Sequence, residues 1–505
     1  MAEQSPLPRS RPCRRPSLRA ALSLPLATLV ACAAVAAGTT ASSGATARFL
    51  PRLTMRAPGH WSPLDPSQPP AGEGPPSVLM SASGTATTIW LRKLSGTRFS
   101  YEVATIAPEG ALGKATDIFG SDTWQSLSPW PTLLPYGKGL IVVFDGQQGS
   151  TGPYSHSCVV GAASSASTWV LQPWSLSNDC ADPVGGATET NKGTLSAAWP
   201  EGRGIFYRIG VSSTIPAAGP DNDIAALGAG TPWIANETTD TAGHVYAAWW
   251  QDFSSPSSDD GYYVKDLTGG GPVTKAPGAG TNTVNTHVNT GAQVPIASTN
   301  SHPGVYLAYC SNGSVCSVLL WRVGSAKALV VPHSAGAWDV AIAAGPDGRI
   351  WVAWDNGQTN AVSTVRTNKA DTAFGPVETY ATPCSGFVDL GLGGGEYGRL
   401  DLVMQCENEA LNWAMYVTQS LAGLSVSPAR ITISNKVGNK VLLRVTDAGD
   451  AVSGATVTVD GRSATTSSSG VAYLSFPKGV HRGHFAVTAS APNYYSAHGA
   501  LDIGS

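Results

Sequence analysis

The segment Ile350-Trp-Val-Ala-Trp354-Asp355-Asn356-Gly357 decides the fold, because apolar residues alternate along it and it runs into a polar turn. Such alternation over a short run is typical of a half-buried β-strand. Related segments begin at Leu140, Leu195, Val245, Val305 and Leu400, so successive starts are 55, 50, 60, 45 and 50 residues apart. A period of about 50 residues is what one four-stranded blade of a β-propeller needs.

Apolar runs that flank these segments complete the pattern of a blade. One run lies about ten residues before each copy and another follows it, so six blades are explicit, and residues 77–106 contain most of a further one. We therefore predict an all-β fold with a seven-bladed propeller over residues 77–422, and a six-bladed propeller is the alternative. After Leu424 the period ends, and shorter strands predict a small β-sandwich over residues 424–505.

The first 47 residues have the pattern of an export signal. Five arginines precede an apolar run from Ala20 to Ala37, and small residues that suit cleavage follow. The alternative is a lipoprotein signal, since Leu29-Val30-Ala31-Cys32 resembles a lipobox that would acylate Cys32. Residues 48–76 are a Pro-rich linker, and no later segment has the roughly 18 apolar residues that a membrane span requires. We expect a secreted protein without a transmembrane segment.

Charge and motifs narrow the function. The net charge is only -3 and no basic block follows the leader, which argues against nucleic acid and anionic membrane as partners. The motifs of esterases, zinc proteases and nucleotide-binding proteins are absent from the sequence. We expect a monomer without a cofactor. Calcium is the one alternative, at Asp221-Asn222-Asp223 or Asp259-Asp260, although neither run matches a full calcium loop.

Six cysteines outside the leader predict three disulfides in an exported protein. Fifteen connectivities are open; the nearest pairs are Cys158 with Cys180, Cys310 with Cys316 and Cys384 with Cys406. Each of these cysteines falls at the end of a second strand, the start of a third strand or a loop between blades. All six therefore belong to one face of the propeller, where they either only stabilise the protein or hold recognition loops in shape.

The same turns contain acidic and aromatic residues. Sugar recognition uses aromatic faces and carboxylates, and glycosidic cleavage needs one protonated and one ionised carboxyl. The candidate catalytic acids are Asp122, Asp145, Glu201, Asp252, Asp355 and Glu407, and Asp179, Asp182 and Asp339 lie in nearby loops. The candidate substrate-binding residues are Trp124, Trp130, Trp233, Trp338, His287 and His333.

A purely structural interpretation stands beside this one. Asp favours tight turns, and His in loops is commonly only a polar surface residue. A Trp that follows a small residue in a blade strand normally packs between sheets. We therefore interpret Trp199, Trp249 and Trp354 as core residues.

Parts of the sequence resemble two known groups of proteins. Turns such as Pro346-Asp347-Gly348, which lead into strands, resemble the blades of bacterial sialidase-like exported propellers. The match lacks full Asp boxes, since Ser258-Asp259-Asp260-Gly261 is incomplete, and Arg92, Arg208, Arg322 and Arg366 recur at equivalent blade positions instead of converging as an arginine triad. The run from Val452 to Val459 and its surroundings resemble bacterial Ig-like and carboxypeptidase-regulatory-like modules, which implies a spacer or binding module.

Two functions are consistent with these observations. The protein is either a secreted enzyme that cleaves an extracellular polysaccharide or glycoconjugate with a pair of the turn acids, or a non-catalytic lectin or cell-surface adhesion protein. The two differ in geometry, because cleavage requires two carboxyl groups within roughly 10 Å of each other beside a cleft.

Overall fold

The computed structural model describes the chain from residue 57 onwards with several gaps. The described ranges are 57–64, 74–95, 98–119, 124–128, 130–148, 158–165, 168–175, 185–201, 204–211, 222–224, 230–253, 258–279, 293–312, 315–356, 359–384, 386, 388–407 and 413–505. The export signal, including Cys32, therefore lies outside the described residues, as do Asp122, His287, Cys180 and the side chains of Glu201 and Cys158.

The strands up to residue 423 form six hydrogen-bonded sheets, one of which has nine strands because a single strand joins its two halves. Those halves are numbered here as sheets 1 and 2, so that seven antiparallel groups of strands are numbered along the chain. The chain begins with β1 (Ser62–Pro63), and sheet 1 then contains β2 (Ser77–Met80), β3 (Ala86–Ser95), β4 (Arg98–Ile106) and β5 (Thr116–Asp117). The joining strand β6 (Trp124–Leu127) follows, and sheet 2 contains β7 (Thr132–Tyr136), β8 (Gly139–Gln148), β9 (Cys158–Ser165) and β10 (Thr168–Ser175). Sheet 3 contains β11 (Gly186–Glu189), β12 (Leu195–Glu201), β13 (Gly204–Val211) and β14 (Asn222–Ile224), and sheet 4 contains β15 (Thr231–Thr239), β16 (Val245–Asp252), β17 (Gly261–Asp266) and β18 (Thr274–Lys275).

The remaining three sheets have the same order of strands. They are sheet 5 with β19 (Ile296–Ser298), β20 (Val305–Cys310), β21 (Val318–Arg322) and β22 (Leu329–Val330); sheet 6 with β23 (Asp339–Ala344), β24 (Ile350–Asn356), β25 (Ala361–Arg366) and β26 (Glu378–Ala381); and sheet 7 with β27 (Val388–Gly393), β28 (Arg399–Glu407), β29 (Trp413–Gly423) and β1. The described part of the chain contains one short 3-10 helix, Pro346–Gly348, and no helix there is long and apolar enough to cross a membrane.

The repeated segments of the sequence are the second strands of these sheets. The six copies correspond to β8, β12, β16, β20, β24 and β28, and residues 77–106 form the first three strands of sheet 1. The sequence period is thus one sheet, as predicted. The second strands are also the best buried: Trp199, Trp249 and Trp354 are each at most 1% exposed, which confirms them as core residues.

The first strands of the sheets contact one another in order. Contacts link β2 to β7, then β11, β15, β19, β23 and β27, and β27 contacts β2 again. The sheets are therefore arranged radially around a common axis, which is the arrangement of a β-propeller. We call the end of the sheets where second strands end and first strands begin the upper face, and the opposite end the lower face.

The segment expected to be a linker takes part in this fold. Ser62 and Pro63 of β1 pair with Val417 and Tyr416 of β29 and form the fourth strand of sheet 7. The outer edge of β29 would otherwise expose unpaired backbone groups, and an N-terminal strand satisfies some of them. The prediction that residues 48–76 are only a linker is therefore wrong for Ser62 and Pro63.

The C-terminal residues form two sheets around one core. One sheet contains β30 (Ser425–Ser427), β32 (Asn439–Asp447), β33 (Asp450–Ala451) and β36 (Val471–Phe476); the other contains β31 (Arg430–Ser434), β34 (Thr456–Val459), β35 (Arg462–Thr465), β37 (Gly483–Ser490) and β39 (Ala497–Gly504). Strands with inward apolar residues, such as Val441, Leu443 and Val445, supply a core that includes Phe476 and Leu501. Two sheets packed around one core have the layered arrangement of a β-sandwich.

The sandwich is docked on the lower face of sheets 6 and 7. The strand β38 (Tyr494–Tyr495) pairs in parallel with the end of β29. Arg366 donates to Asp447 at 2.5 Å, and its guanidinium lies between the rings of Trp351 and Tyr494, 5.0 and 5.5 Å from their centroids. Arg349 donates to Asp450 at 2.7 Å.

The arginine side chains at this contact are buried. The side chains of Arg366 and Asp447 are 1% and 0% exposed, and that of Arg349 is 5% exposed. Removing one partner of a buried ion pair leaves the other charge uncompensated, which is strongly destabilising. Buried ion pairs therefore hold the sandwich against the propeller, and it is not a flexibly linked spacer.

We predict that Asp447→Asn lowers the free energy of unfolding by about 3 kcal/mol, because it leaves the buried guanidinium group of Arg366 without its carboxylate. Thermal and urea unfolding of the full chain would measure it. The matched control is Asp502→Asn, whose partners Arg430 and His484 are largely exposed and whose loss should change stability much less. Equal effects of the two substitutions would contradict a buried docking contact.

Candidate functional site

The described cysteines lie at the upper face. Cys310 and Cys316 form one disulfide and Cys384 and Cys406 form another, as the nearest pairs predicted. They stand at the end of β20, before β21, before β27 and near the end of β28. The remaining pair, Cys158 with Cys180, lies outside the described side chains.

The described turn acids also lie at the upper face but on different sheets. Asp145, Asp252, Asp355 and Glu407 each lie near the end of a second strand, on sheets 2, 4, 6 and 7. The backbone of Glu201 has the same place on sheet 3. The fold thus distributes these acids around the ring, as strands of separate blades must, and it brings only Asp355 into an evident acidic group.

That group consists of Asp355, Asp339 and Asp389, which we call the acid cluster. Asp339 is the first residue of β23 and lies directly opposite Asp355 of β24 in the antiparallel ladder. Facing residues in such a ladder have Cβ atoms about 5 Å apart. Asp389 belongs to the neighbouring strand β27, and the backbone N–H of Leu390 on that strand donates to Asp339 Oδ2 at 2.8 Å.

Burial and mutual repulsion raise the pKa of carboxyls in the acid cluster. Asp339, Asp355 and Asp389 are 2%, 3% and 1% exposed. Burial raises the pKa of Asp355 to about 7, the charge of Asp389 adds to this, and a hydrogen bond from the Asn356 backbone opposes it. Burial and the charge of Asp389 likewise raise the pKa of Asp339 well above its usual range, against two backbone hydrogen bonds.

The three acids differ in their hydrogen bonds. Asp339 accepts from Val340 N and Leu390 N, both at 2.8 Å, and Asp389 accepts from Gly74 N at 2.8 Å. Asp355 Oδ1, in contrast, is buried without a hydrogen-bond partner in the described residues. Asp339 and Asp389 therefore tie adjacent sheets together, while Asp355 has a buried oxygen without a hydrogen-bond partner in the described residues.

One member of the acid cluster, Asp339, borders a cavity on the axis of the ring. The cavity has a volume of about 270 Å³ and is lined by first strands of all seven sheets, including Ser77, Thr132, Thr188, Glu237, Ile296, Asp339 and Leu390. Gln293 crosses its upper part, and its amide donates to Trp130 O, Thr132 Oγ1 and Gly185 O on sheets 2 and 3. A ligand on the upper face would therefore rest on this crossing and not pass through the axis.

A second buried acid lines the same cavity. Glu237 is 5% exposed, and burial raises its pKa well above the usual range. Its strand β15 also contributes Trp233 to the upper face.

Two of the candidate tryptophans are exposed at the upper face. Trp233 and Trp338 are 52% and 55% exposed at the upper ends of sheets 4 and 6, and Trp338 immediately precedes Asp339 of the acid cluster. Trp130 is partly buried before β7, and His333 is exposed in the turn that precedes β23. An exposed indole face is a common stacking surface for the C–H side of a sugar ring.

Trp124 is the exception, and its prediction as a substrate-binding residue is wrong. It is 0% exposed and packs in an aromatic core with Phe119 and Phe144 at ring distances of 5.2 Å. The reason is that β6 pairs with both β4 and β8 and fills the space between sheets 1 and 2.

Asp389 was not singled out by the sequence analysis, yet a signal for it exists. The inner strands read Asp339-Val-Ala-Ile-Ala and Asp389-Leu-Gly-Leu-Gly, with the two aspartates one repeat period apart. An alignment of first strands, in place of the more conspicuous second strands, would have paired these acids.

The other candidates have structural surroundings. Arg322 and Arg366 end third strands at the lower face, away from the acid cluster, and Arg92 pairs with Glu102. Asp260 is fully buried and accepts a hydrogen bond from Phe253 N at 2.9 Å. In the described ranges no three His, Cys, Asp or Glu side chains are grouped to hold a metal ion.

No protein-family profile matches the chain, and no curated protein matches it. Among solved structures it is similar to a polysaccharide lyase described as an ulvan lyase, with 10% identity and a TM-score of 0.43 over 72% of this chain and 96% of that one. It is also similar to a leech intramolecular trans-sialidase, with 11% identity and a TM-score of 0.37 over 73% and 70% of the two chains. An α-L-arabinanase from Penicillium chrysogenum has 13% identity and a TM-score of 0.35 over 73% and 97%.

We predict that Asp355 makes the stability of the protein depend on pH. Its folded-state pKa of about 7 exceeds the value of about 3.9 expected in the unfolded chain, so its contribution is present at low pH and is lost as the pH rises from 4 to 7. The loss has an upper bound of about 4 kcal/mol.

Urea unfolding of the wild type and Asp355→Asn at several pH values would measure this dependence. The difference in free energy of unfolding between them should change across that range, whereas Asp223→Asn, at an exposed site in β14, should give a curve parallel to the wild type. A parallel curve for Asp355→Asn would show that this carboxyl is ionised in the folded protein.

Proposed function

We propose that this protein is a secreted seven-bladed β-propeller with an Ig-like sandwich, that its upper face binds an extracellular glycan, and that the acid cluster supplies the general acid of glycosidic cleavage. One observation carries the proposal: Asp355, whose pKa is raised to about 7, lies in the same upper part of sheet 6 as the exposed Trp338. A general acid works best when its pKa is near the working pH.

The seven blades rest on the contacts of the inner strands, which run through seven sheets and return to the first. Secretion rests on the leader pattern and on two disulfides, which persist in oxidising compartments. A lipid on Cys32 is the alternative for the mature N-terminus. Sialidase activity is not proposed, because the described arginines do not converge on the acid cluster.

In the proposed reaction, the Asp355 carboxyl donates its proton to the glycosidic oxygen as the bond to the anomeric carbon breaks. Asp389, whose negative charge raises the pKa of the other two acids, accepts a proton from the water that attacks that carbon. One water is consumed, and the proton taken up by Asp389 returns to solvent as Asp355 is reprotonated. Trp338 and Trp233 hold neighbouring sugars by stacking.

The alternative is a non-catalytic lectin or surface adhesion protein. The burial of the acid cluster favours it, since all three carboxyl groups are at most 3% exposed and two of them hold adjacent sheets together. In that case the tryptophans bind a glycan and the acids only close the ring.

We predict that Trp338→Ala and Trp233→Ala each weaken retention on the cognate polysaccharide by roughly tenfold through loss of stacking. Affinity electrophoresis of the purified protein against a polysaccharide panel would measure the retention. Tyr397→Ala is the control, because Tyr397 is exposed at the lower face. Retention that all three variants leave unchanged would remove the upper face as the binding site.

We further predict that Asp355→Asn reduces release of reducing ends by at least about 100-fold while retention persists, because only the proton donor is removed. Reducing-end assays on every retained polysaccharide would measure it. Retention without release by the wild type would identify a lectin, and neither retention nor release across the panel would count against a glycan-directed protein.

A further inference from the structure

The outer face of one sandwich sheet combines apolar and basic side chains. Along β32, Val441, Leu443 and Val445 point into the core, so Lys440, Leu442 and Arg444 point outwards. Tyr473 of β36 also points outwards and lies directly opposite Leu442. We call Lys440, Leu442, Arg444 and Tyr473 the basic face.

Its apolar centre is unusually open. Leu442 and Tyr473 are 47% and 52% exposed, and the ammonium group of Lys440 lies 4.3 Å from the centroid of the Tyr473 ring. Lys440 and Arg444 are four residues apart on one strand, which places their Cα atoms about 13 Å apart. Two basic side chains spaced in this way, beside an aromatic ring and an aliphatic side chain, fit an extended ligand better than a single small ion.

The charges of the two modules differ in sign. Residues 424–505 contain seven Lys and Arg against four Asp and no Glu, whereas residues 57–423 contain 16 Lys and Arg against 29 Asp and Glu. An anionic polymer is therefore repelled by the propeller and attracted by the sandwich.

Docking increases this difference. Asp447 and Asp450, half of the acids of the sandwich, are bound to Arg366 and Arg349 of the propeller. Asp502 pairs with Arg430 and His484. The outward surface of the sandwich is thus left with cations in excess, and the basic face is where two of them flank exposed apolar groups.

We propose that the basic face binds an acidic polysaccharide. Lys440 and Arg444 pair with two separate carboxylate or sulfate groups of one glycan chain, and the Tyr473 ring and Leu442 pack against the sugar C–H groups between them. The site is separate from the upper face and does not depend on cleavage or binding there. It would anchor the protein to an anionic matrix while the upper face stays free.

Retention of the full-length secreted protein on polygalacturonate tests this site, with neutral dextran run in parallel. Lys440→Gln with Arg444→Gln should weaken retention on polygalacturonate by at least about tenfold, and Tyr473→Ala by roughly threefold to tenfold. Retention should fall steeply as sodium chloride rises to about 0.5 M, because the contacts are exposed.

The matched control is Lys478→Gln with Arg482→Gln, which removes the same charge from exposed positions of the same module. It should change retention by less than about twofold. Equal weakening by both double variants would show non-specific charge attraction and overturn the proposal. So would equal retention on dextran, or stronger binding to DNA or to anionic vesicles than to polygalacturonate. Trp338→Ala reports on binding at the upper face, whereas Lys440→Gln with Arg444→Gln reports on the basic face, so the two sites are tested separately.

Discussion

The ring depends on side chains that connect the first strand of one sheet to the first strand of the next. Backbone hydrogen bonds hold each sheet together, whereas the junctions are closed by polar side chains that bond across them. Ser77 accepts from Leu133 N, Asn236 donates to Val294 O, Asp339 accepts from Leu390 N and Asp389 accepts from Gly74 N. Buried backbone groups need such partners, so these residues are a requirement of the architecture. Because two consecutive junctions are closed by carboxylates, negative charge lies in a buried part of the ring.

The candidate chemistry follows from that constraint. Asp339 and Asp389 are held by backbone N–H groups, and Asp355 lies opposite Asp339 in the ladder with an oxygen that has no partner in the described residues. Burial and the charge of Asp389 favour a proton on Asp355. Asp389, which helps to close the ring, thus also raises the pKa of Asp355, and Trp338 has an exposed aromatic surface next to the acid cluster. At the lower face, Arg349 and Arg366 of sheet 6 form ion pairs with the sandwich. Arg349 immediately precedes β24, and Asp355 of the acid cluster lies near the other end of the same strand.

The all-β class, the repeat period, the second strands and two disulfide pairs could be predicted from the sequence, because each rests on local alternation or short spacing. Asp355 and Trp338 were found as turn and loop residues for the same reason. Asp389 was missed because its signal lies in the less conspicuous first strands, and the role of Gly74 was missed because it meets Asp389 only at ring closure, 315 positions away along the chain. Trp124 was misplaced because β6 fills a gap between two sheets, which a strand pattern does not show. The docking of the sandwich through Arg366 and Asp447 depends on tertiary contacts that no local pattern encodes.

The central claim is that one carboxyl group of the acid cluster keeps its proton close to neutral pH. Carbon-13 NMR of protein with labelled aspartate side chains, compared with Asp355→Asn to assign the resonance, measures it directly. We predict that the Asp355 carboxyl titrates with a pKa of about 7. Titration near 4, as in an exposed aspartate, would contradict the account.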